Sequence, residues 1–324
     1  MSSSGMTRRE FIAAGAAVGA GVLTLGRAFA QGQPTGGKST VVRCLRPANF
    51  AGGELPQQSV ANMVNACVRR LAGEDDLAAA WGRFVGPDDT VGLKINCLFG
   101  PGASTRIEVV HAVAAGCRAA GVPAERIIVW DRTTSDMAKT GYPENRDGPG
   151  VRYYGTDGDY EPNPTVVGSF NGRLSRLLTR GMTAMINLPV LKSHSTSGIT
   201  ASMKNQYGSF DNPGNHHGDF CDPYIADVNS VPAIRDKTRL IIMDAVFPIC
   251  EGGPRARPQF TWPYGAILAA TDPVALDHTG LSILDERRKA MGIGPIGTAA
   301  RHIATAAAKG LGTNNPAQID LVDV

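Results

Sequence analysis

The sequence lacks most of the short signatures that would name a reaction. Its six cysteines, Cys44, Cys67, Cys97, Cys117, Cys221 and Cys250, are widely spread and include no C-x-x-C pair. A zinc ribbon and a ferredoxin-type ligand run are therefore excluded. No G-x-S-x-G elbow occurs, which disfavours hydrolysis through an acyl-enzyme. Strong charge of either sign is also missing: the 324 residues carry a formal net charge of +3, and only 19% are Asp, Glu, Lys or Arg. A balance this mild gives no reason to invoke nucleic acid and suits a small-molecule site better than a polyanion groove. The apolar stretch near the N-terminus, Ile12 to Leu25, falls short of the ~20 residues that span a bilayer, so no stable membrane anchor is expected.

That stretch has another reading. Thr7-Arg8-Arg9-Glu10-Phe11-Ile12 has the twin-arginine pattern, a weakly apolar Ala- and Gly-rich segment follows, and Ala28-Phe29-Ala30 is an A-x-A cleavage site. The expectation is a signal peptide over residues 1–30, export by the twin-arginine machinery and a periplasmic mature chain that begins at Gln31. Because that route carries folded proteins, it is compatible with a cofactor loaded before export.

Residues 31–324 show no internal repeat and no linker long enough to separate two domains, and after a polar lead-in, Gln31 to Lys38, short β-rich runs alternate with helical patterns. Strands are predicted at Thr40–Leu45, Thr90–Asn96, Arg126–Asp131, Met182–Leu188, Leu240–Asp244 and Gly265–Thr271. Helices are predicted at Val60–Leu71, Thr105–Ala120, Asp272–Leu284 and Thr298–Lys309. Asn145 to Gly172, rich in Gly, Pro and Tyr, reads as an irregular insertion with a short hairpin. This alternation predicts one α/β domain with a mostly parallel sheet flanked by helices. Ligands of such sheets bind outside the strand carboxyl ends. There the pattern places Lys94 and Asn96, Asp131, Lys192 and His194, Asp244, and Asp272. Each alone is an ordinary cap or loop residue; together they predict a polar cleft.

The densest chemistry lies between Met185 and Gly218, where Lys192, His194, Lys204, Asn205, His216 and His217 fall close together. Cations and imidazoles this close repel unless an anion, a metal or carboxylates offset them. A solvated surface loop is the competing reading. As a site, the stretch predicts a catalytic set of Lys192, His194, Lys204 and Asp131, with a lysine as a base or as the holder of a carboxylate or phosphate. His194, His216, His217 and Asp244 form the expected ligand set for a divalent metal ion. The Gly-rich loop Phe99–Thr105, where Ser104 or Thr105 can cap the next helix, is an expected anion seat. Lys94, Asn96, Ser104, Thr105 and Asn205 make up the cofactor-binding set. Glu251, in the turn Glu251-Gly252-Gly253-Pro254, is placed to face the same cleft, and Asp277 backs up the site or pairs with Arg287 or Arg288.

Five runs in order, VGLKIN with its Gly-rich loop and Thr105, INLPVLKSH, ITASMKNQYG, MDAVFPICEGGP and ILAATDPVALD, make the chain resemble domain-of-unknown-function family 362 over most of Val41–Leu284. The resemblance implies an α/β domain with polar loops on one face. Many members carry a ferredoxin-type Cys cluster; this chain does not. The reading that follows is an exported periplasmic enzyme that binds a metal or a small anion in a Lys/His/Asp cleft. Two alternatives stay open: a non-catalytic accessory protein of a periplasmic redox system, and an oxidoreductase that uses a loaded cofactor.

Overall fold

The central strands of the main sheet carry side chains to two opposite cores, because successive residues of a strand point to opposite faces. Val42, Cys44, Ile242, Val246, Ile267 and Ala269 join one core, with the helices Gln57–Ala72 and Ile107–Ala119. Val41, Ile241, Met243 and Leu268 join the other, with the helices Tyr224–Ser230, Pro273–Ala290 and His302–Ala308. Strands buried on both faces read as continuous apolar runs, which is why they were legible as strands. The computed structural model describes residues 38–324. The twin-arginine motif and the cleavage site at Ala30 lie outside the described residues.

In chain order the strands are β1 (Ser39–Leu45), β2 (Val91–Lys94), β3 (Ile127–Trp130), β4 (Arg152–Tyr153), β5 (Thr165–Val167), β6 (Phe170–Gly172), β7 (Ala184–Asn187), β8 (Val190–His194), β9 (Gly198–Thr200), β10 (Thr238–Ile249), β11 (Ala266–Ala270) and β12 (Ile319–Asp323). The main sheet runs β12-β1-β11-β10-β7-β2-β3-β4, and β8 and β9 extend from β10. The pairs β12/β1, β10/β7, β7/β2, β2/β3 and β3/β4 are parallel. The fold is α/β with a mostly parallel sheet and flanking helices. Among the described residues, no helix is long and apolar enough to cross a membrane. The hairpin β5–β6 sits inside the expected irregular insertion.

Two features depart from the sequence reading. First, β11 is antiparallel to both β1 and β10. Its carboxyl end therefore lies at the opposite edge from those of β2, β3, β7 and β10. Asp272 goes with it: its carboxylate caps the helix Pro273–Ala290 through Val274 N and Ala275 N and accepts from Ser39 Oγ at the start of β1. It belongs to no cleft at the other edge. Second, the chain does not leave the sheet at Pro189. The 12-residue β10 pairs with β7 along its first half and with β8 along its second. Pro189 sits at the junction, where its carbonyl still accepts from Asp244 N. Lys192 and His194 are thus strand residues on one side of β8, two apart, and not loop residues after a strand.

Candidate functional site

A cleft of about 290 Å³ opens at the carboxyl edge of β2 and β3 and beside β8. Asn96, Asp131, Lys192, His194, Lys204, Asn205 and His217 all line it. The whole expected catalytic set is thereby brought together, along with half of the metal set and part of the cofactor-binding set. Lys94 lies directly behind. Its ammonium is 2.8 Å from Asp131 Oδ1 and also donates to Ile95 O. Cys97 donates to the other carboxylate oxygen through both N–H and Sγ. Burial alone would raise the Asp131 carboxyl, but Lys94 and these donors hold it below the usual range. Asp131 is therefore a fixed anion neutralised from behind. Gly208 closes over the pair: a Cβ there would stand 2.4 Å from Asp131 Oδ1 and 2.7 Å from Lys94 Nζ. Only glycine allows so close an approach.

Lys192 is differently placed. Its Nζ donates to Asn96 Oδ1 at 2.7 Å and to Ala103 O. Asn96 bonds Asn205, and Asn205 bonds Asn187 Oδ1, so three amides tie the lysine to the ends of β2 and β7. Burial lowers the Lys192 ammonium to about 7, although Asp131 opposes the shift. Lys204 opens the 3-10 turn Lys204–Ser209. Asp277 positions it, accepting from Ser202 N, Ser202 Oγ and Met203 N just upstream. This settles the role of Asp277 as a support for the site turn and not as a partner of Arg287 or Arg288. Lys204 is only 6% exposed and, among the described residues, has no carboxylate beside it; its amine stands over the Tyr207 ring and 3.1 Å from His217 Nε2. Burial lowers Lys204 to about 7 as well.

The hydrogen bonds assign the tautomers of the histidines. His217 Nδ1 lies 2.7 Å from Pro213 O, and a carbonyl only accepts, so Nδ1 carries the proton. Nε2 is then a bare acceptor for Lys204. His194 Nδ1 accepts from Thr196 N and Ser197 N, so its proton is on Nε2. Burial, with help from Lys204 and His217, lowers His194 to about 3 and keeps it neutral. The two rings stack with centroids 5.9 Å apart.

The expected metal quartet is not assembled. Asp244 shares the sheet face of Ile242 and Val246, where its carboxylate binds the Arg106 guanidinium at 2.8 Å and Arg106 N at the start of the helix Ile107–Ala119. His216 packs among Phe170, Phe210 and Tyr224, and its two nitrogens are taken by Asn171 N and Asn212 O. His194 turns a protonated Nε2 toward any ligand, whereas a metal needs the bare nitrogen. Among the described residues, no three His, Cys, Asp or Glu side chains come together to hold a metal ion. These donors do not fit a divalent metal.

Ser104 and Thr105 are structural. Ser104 Oγ donates to Gly100 O, Thr105 Oγ1 donates to Leu188 O, and Arg106, not either hydroxyl, occupies the helix N-cap. Glu251 faces away from the cleft, paired with Arg288; Pro254 of the same turn lines it. All six cysteines are buried and free. Several cleft residues escaped the sequence reading, Arg132 and Thr200 among them. Arg132 adds a guanidinium to the lining, near enough to Tyr160 to oppose the upward shift that burial gives the phenol. Thr200, opposite Lys192 on β9, lines the cleft with a buried hydroxyl that has no partner. Position after β3 was a usable signal for Arg132. Thr200 needed the β8–β9 pairing. Two letter matches to phosphate motifs stand in the wrong context: Gly32–Ser39 leads into strand β1, and Gly292–Gly297 follows a helix.

A family model described as Domain of unknown function (DUF362) matches residues 91–282. The chain belongs to this family, and the matched span contains every cleft residue from Asn96 to Pro254. No curated protein matches the chain. Among solved structures, a crystal structure of a Thermotoga maritima protein, a structural-genomics target, is similar at a TM-score of 0.38 and 9% identity. The similarity covers 74% of this chain and 59% of that one, so the chain spans about three fifths of its length.

Proposed function

We propose that the cleft binds a small organic anion and that the protein is an enzyme acting on it. One observation carries the reading: Lys192, Lys204, Arg132 and two imidazoles line one cleft, and its two carboxylates are already engaged. Asp131 is held by Lys94, and Asp136 by Thr133 and Lys139. The unpartnered Thr200 hydroxyl adds a donor or acceptor for the same ligand. A buried cation without a counter-charge is costly, and a bound anion would relieve that cost. Leu98, Phe99, Tyr207, Pro213 and Pro254 supply the apolar walls that such a ligand needs for its carbon frame.

Binding should therefore be coupled to proton uptake at Lys192. The amine sheds its proton near pH 7 in the free protein, and an anion beside it restores the ammonium. Affinity is then strongest below pH 7 and falls as pH rises above it. The test is the thermal midpoint of the full chain and of Lys192→Met with small carboxylates, sulfonates and phosphates at pH 6.5 and 8.5. At least one anion should raise the wild-type midpoint, more at the lower pH, and Lys192→Met should lose the response. No anion response, or an equal response in the variant, overturns the reading.

A further inference from the structure

Three lysines lie at this edge of the sheet, and only one is equipped to react. Lys94 is locked in an ion pair, and Lys192 is bonded to an amide oxygen and a backbone carbonyl. Among the described residues, Lys204 has neither kind of partner. Its amine is flanked by the Tyr207 ring and by a bare imidazole nitrogen whose opposite N–H is anchored to Pro213 O. We infer that Lys204 attacks the carbonyl carbon of a small anionic aldehyde or ketone, a 2-oxoacid by chemistry, and holds it as an imine. This rests on the anion-binding reading of the same cleft: Lys192, Arg132 and Thr200 would take the carboxylate, leaving the carbonyl for Lys204.

The step balances without an oxidant or a further reactant. The Nζ lone pair forms the C–N bond as the carbonyl π pair moves to oxygen. His217 Nε2 takes one proton from Nζ and passes it to the oxygen, giving a neutral carbinolamine. The nitrogen lone pair then expels the oxygen as hydroxide, His217 carries the second Nζ proton to it, and water leaves a neutral imine behind. His194 presents a neutral N–H donor in the same cleft, which suits the developing oxyanion. An amine that sheds its proton near pH 7 is a competent nucleophile at neutral pH, whereas an ordinary lysine is almost wholly protonated there.

The full chain would be incubated separately with glyoxylate, pyruvate and phenylpyruvate in the presence of cyanoborohydride, and the reduced adducts mapped by peptide mass spectrometry. Lys204 should carry the adduct with at least one of the three, at least tenfold faster than surface lysines such as Lys289. At saturating oxoacid, where the weaker carboxylate binding above pH 7 does not limit it, the rate should climb as pH rises through 7. Replacement of His217 by Gln should slow trapping about a hundredfold, the scale of a lost proton acceptor. Because the site is read in the wild type, the result does not hang on a variant folding. No adduct on Lys204 with any of the three, or one formed first on Lys192, overturns the inference. If an oxoacid nevertheless raises the midpoint in a Lys192-dependent way, the anion reading survives and only the covalent step falls. If neither response appears, both fail for this ligand class.

Discussion

Lys94, Lys192 and Lys204 are one residue type with three states, and their neighbours decide which. The sequence showed that cations gather here; it did not show which has a counter-ion, because Asp131 is 37 residues from Lys94 and meets it only through the β2–β3 pairing. The adjacent His216 and His217 likewise look equivalent as letters. One is walled in by aromatic rings with both nitrogens bonded, and the other reaches Lys204. At this scale the linkage between charge and stability is testable. Lys192 has a folded pKa near 7 and an unfolded one of about 10.4. Below pH 7 both states hold the proton, and the cost of the buried charge is fully present. From 7 upward the folded state sheds it first, so stability rises by up to about 1.4 kcal/mol per pH unit. Buried cysteines act the opposite way at high pH, so the measurable quantity is a difference. The stability of wild type minus that of Lys192→Met, from urea unfolding, should rise between pH 7 and 9. A flat difference would show that the lysine stays charged. Gly208→Ala is the second residue-scale prediction. Its new Cβ meets two buried groups held by other bonds, so it should cost about 1–3 kcal/mol and loosen the Lys94–Asp131 pair.

Strands and turns explain both what was legible and what was not. The carboxyl-edge rule placed Lys94, Asn96, Asp131, Lys192 and His194 together because β2, β3 and the β7–β8 run are parallel, as the alternation of elements implied. It misplaced Asp272 because strand direction is a pairing property, and nothing within Gly265–Thr271 says that β11 runs backwards. It misplaced Asp244 because the strand was read as ending there, whereas β10 continues past it and its buried carboxylate is taken by Arg106. Pro189 looked like a stop because proline cannot donate to a ladder, yet the junction between two half-pairings is a place where no donor is needed. Thr200 was invisible for the same reason: its importance exists only opposite Lys192. The turn that carries Lys204 depends on the fully buried Asp277 and its three bonds. Asp277→Ala leaves buried N–H donors unpaired, so it should lose roughly 3 kcal/mol and weaken anion binding as well. Thr200→Val keeps the shape of the side chain and should leave the thermal midpoint nearly unchanged while lowering ligand affinity. A large fall in midpoint for Thr200→Val would show that its hydroxyl serves the fold and not a ligand.

For the whole molecule, the cysteines and the proposed export route bear on one another. Six free thiols, all buried, sit in a chain proposed to enter an oxidising compartment, where unpaired thiols are prone to cross-link. Burial raises every one whose ionisation is perturbed, Cys67, Cys97 and Cys117 the most, which leaves little thiolate to react. That protection exists only after folding. A chain threaded unfolded through the membrane would present all six thiols to oxidants, while a chain exported already folded would not. The proposed twin-arginine route, read from Arg8 and Arg9, would be of the second kind. Three outcomes follow. Replacement of both arginines by Lys should leave unprocessed precursor inside the cell. Protein recovered from the periplasm should react with a thiol reagent at no site while native and at six sites once unfolded. The same mature chain placed behind a signal for unfolded export should instead accumulate disulfide-linked species. Normal accumulation of the Arg8→Lys/Arg9→Lys variant would remove the twin-arginine reading. Six reactive thiols recovered equally by both routes would show that burial, and not the order of folding and export, is what keeps them reduced.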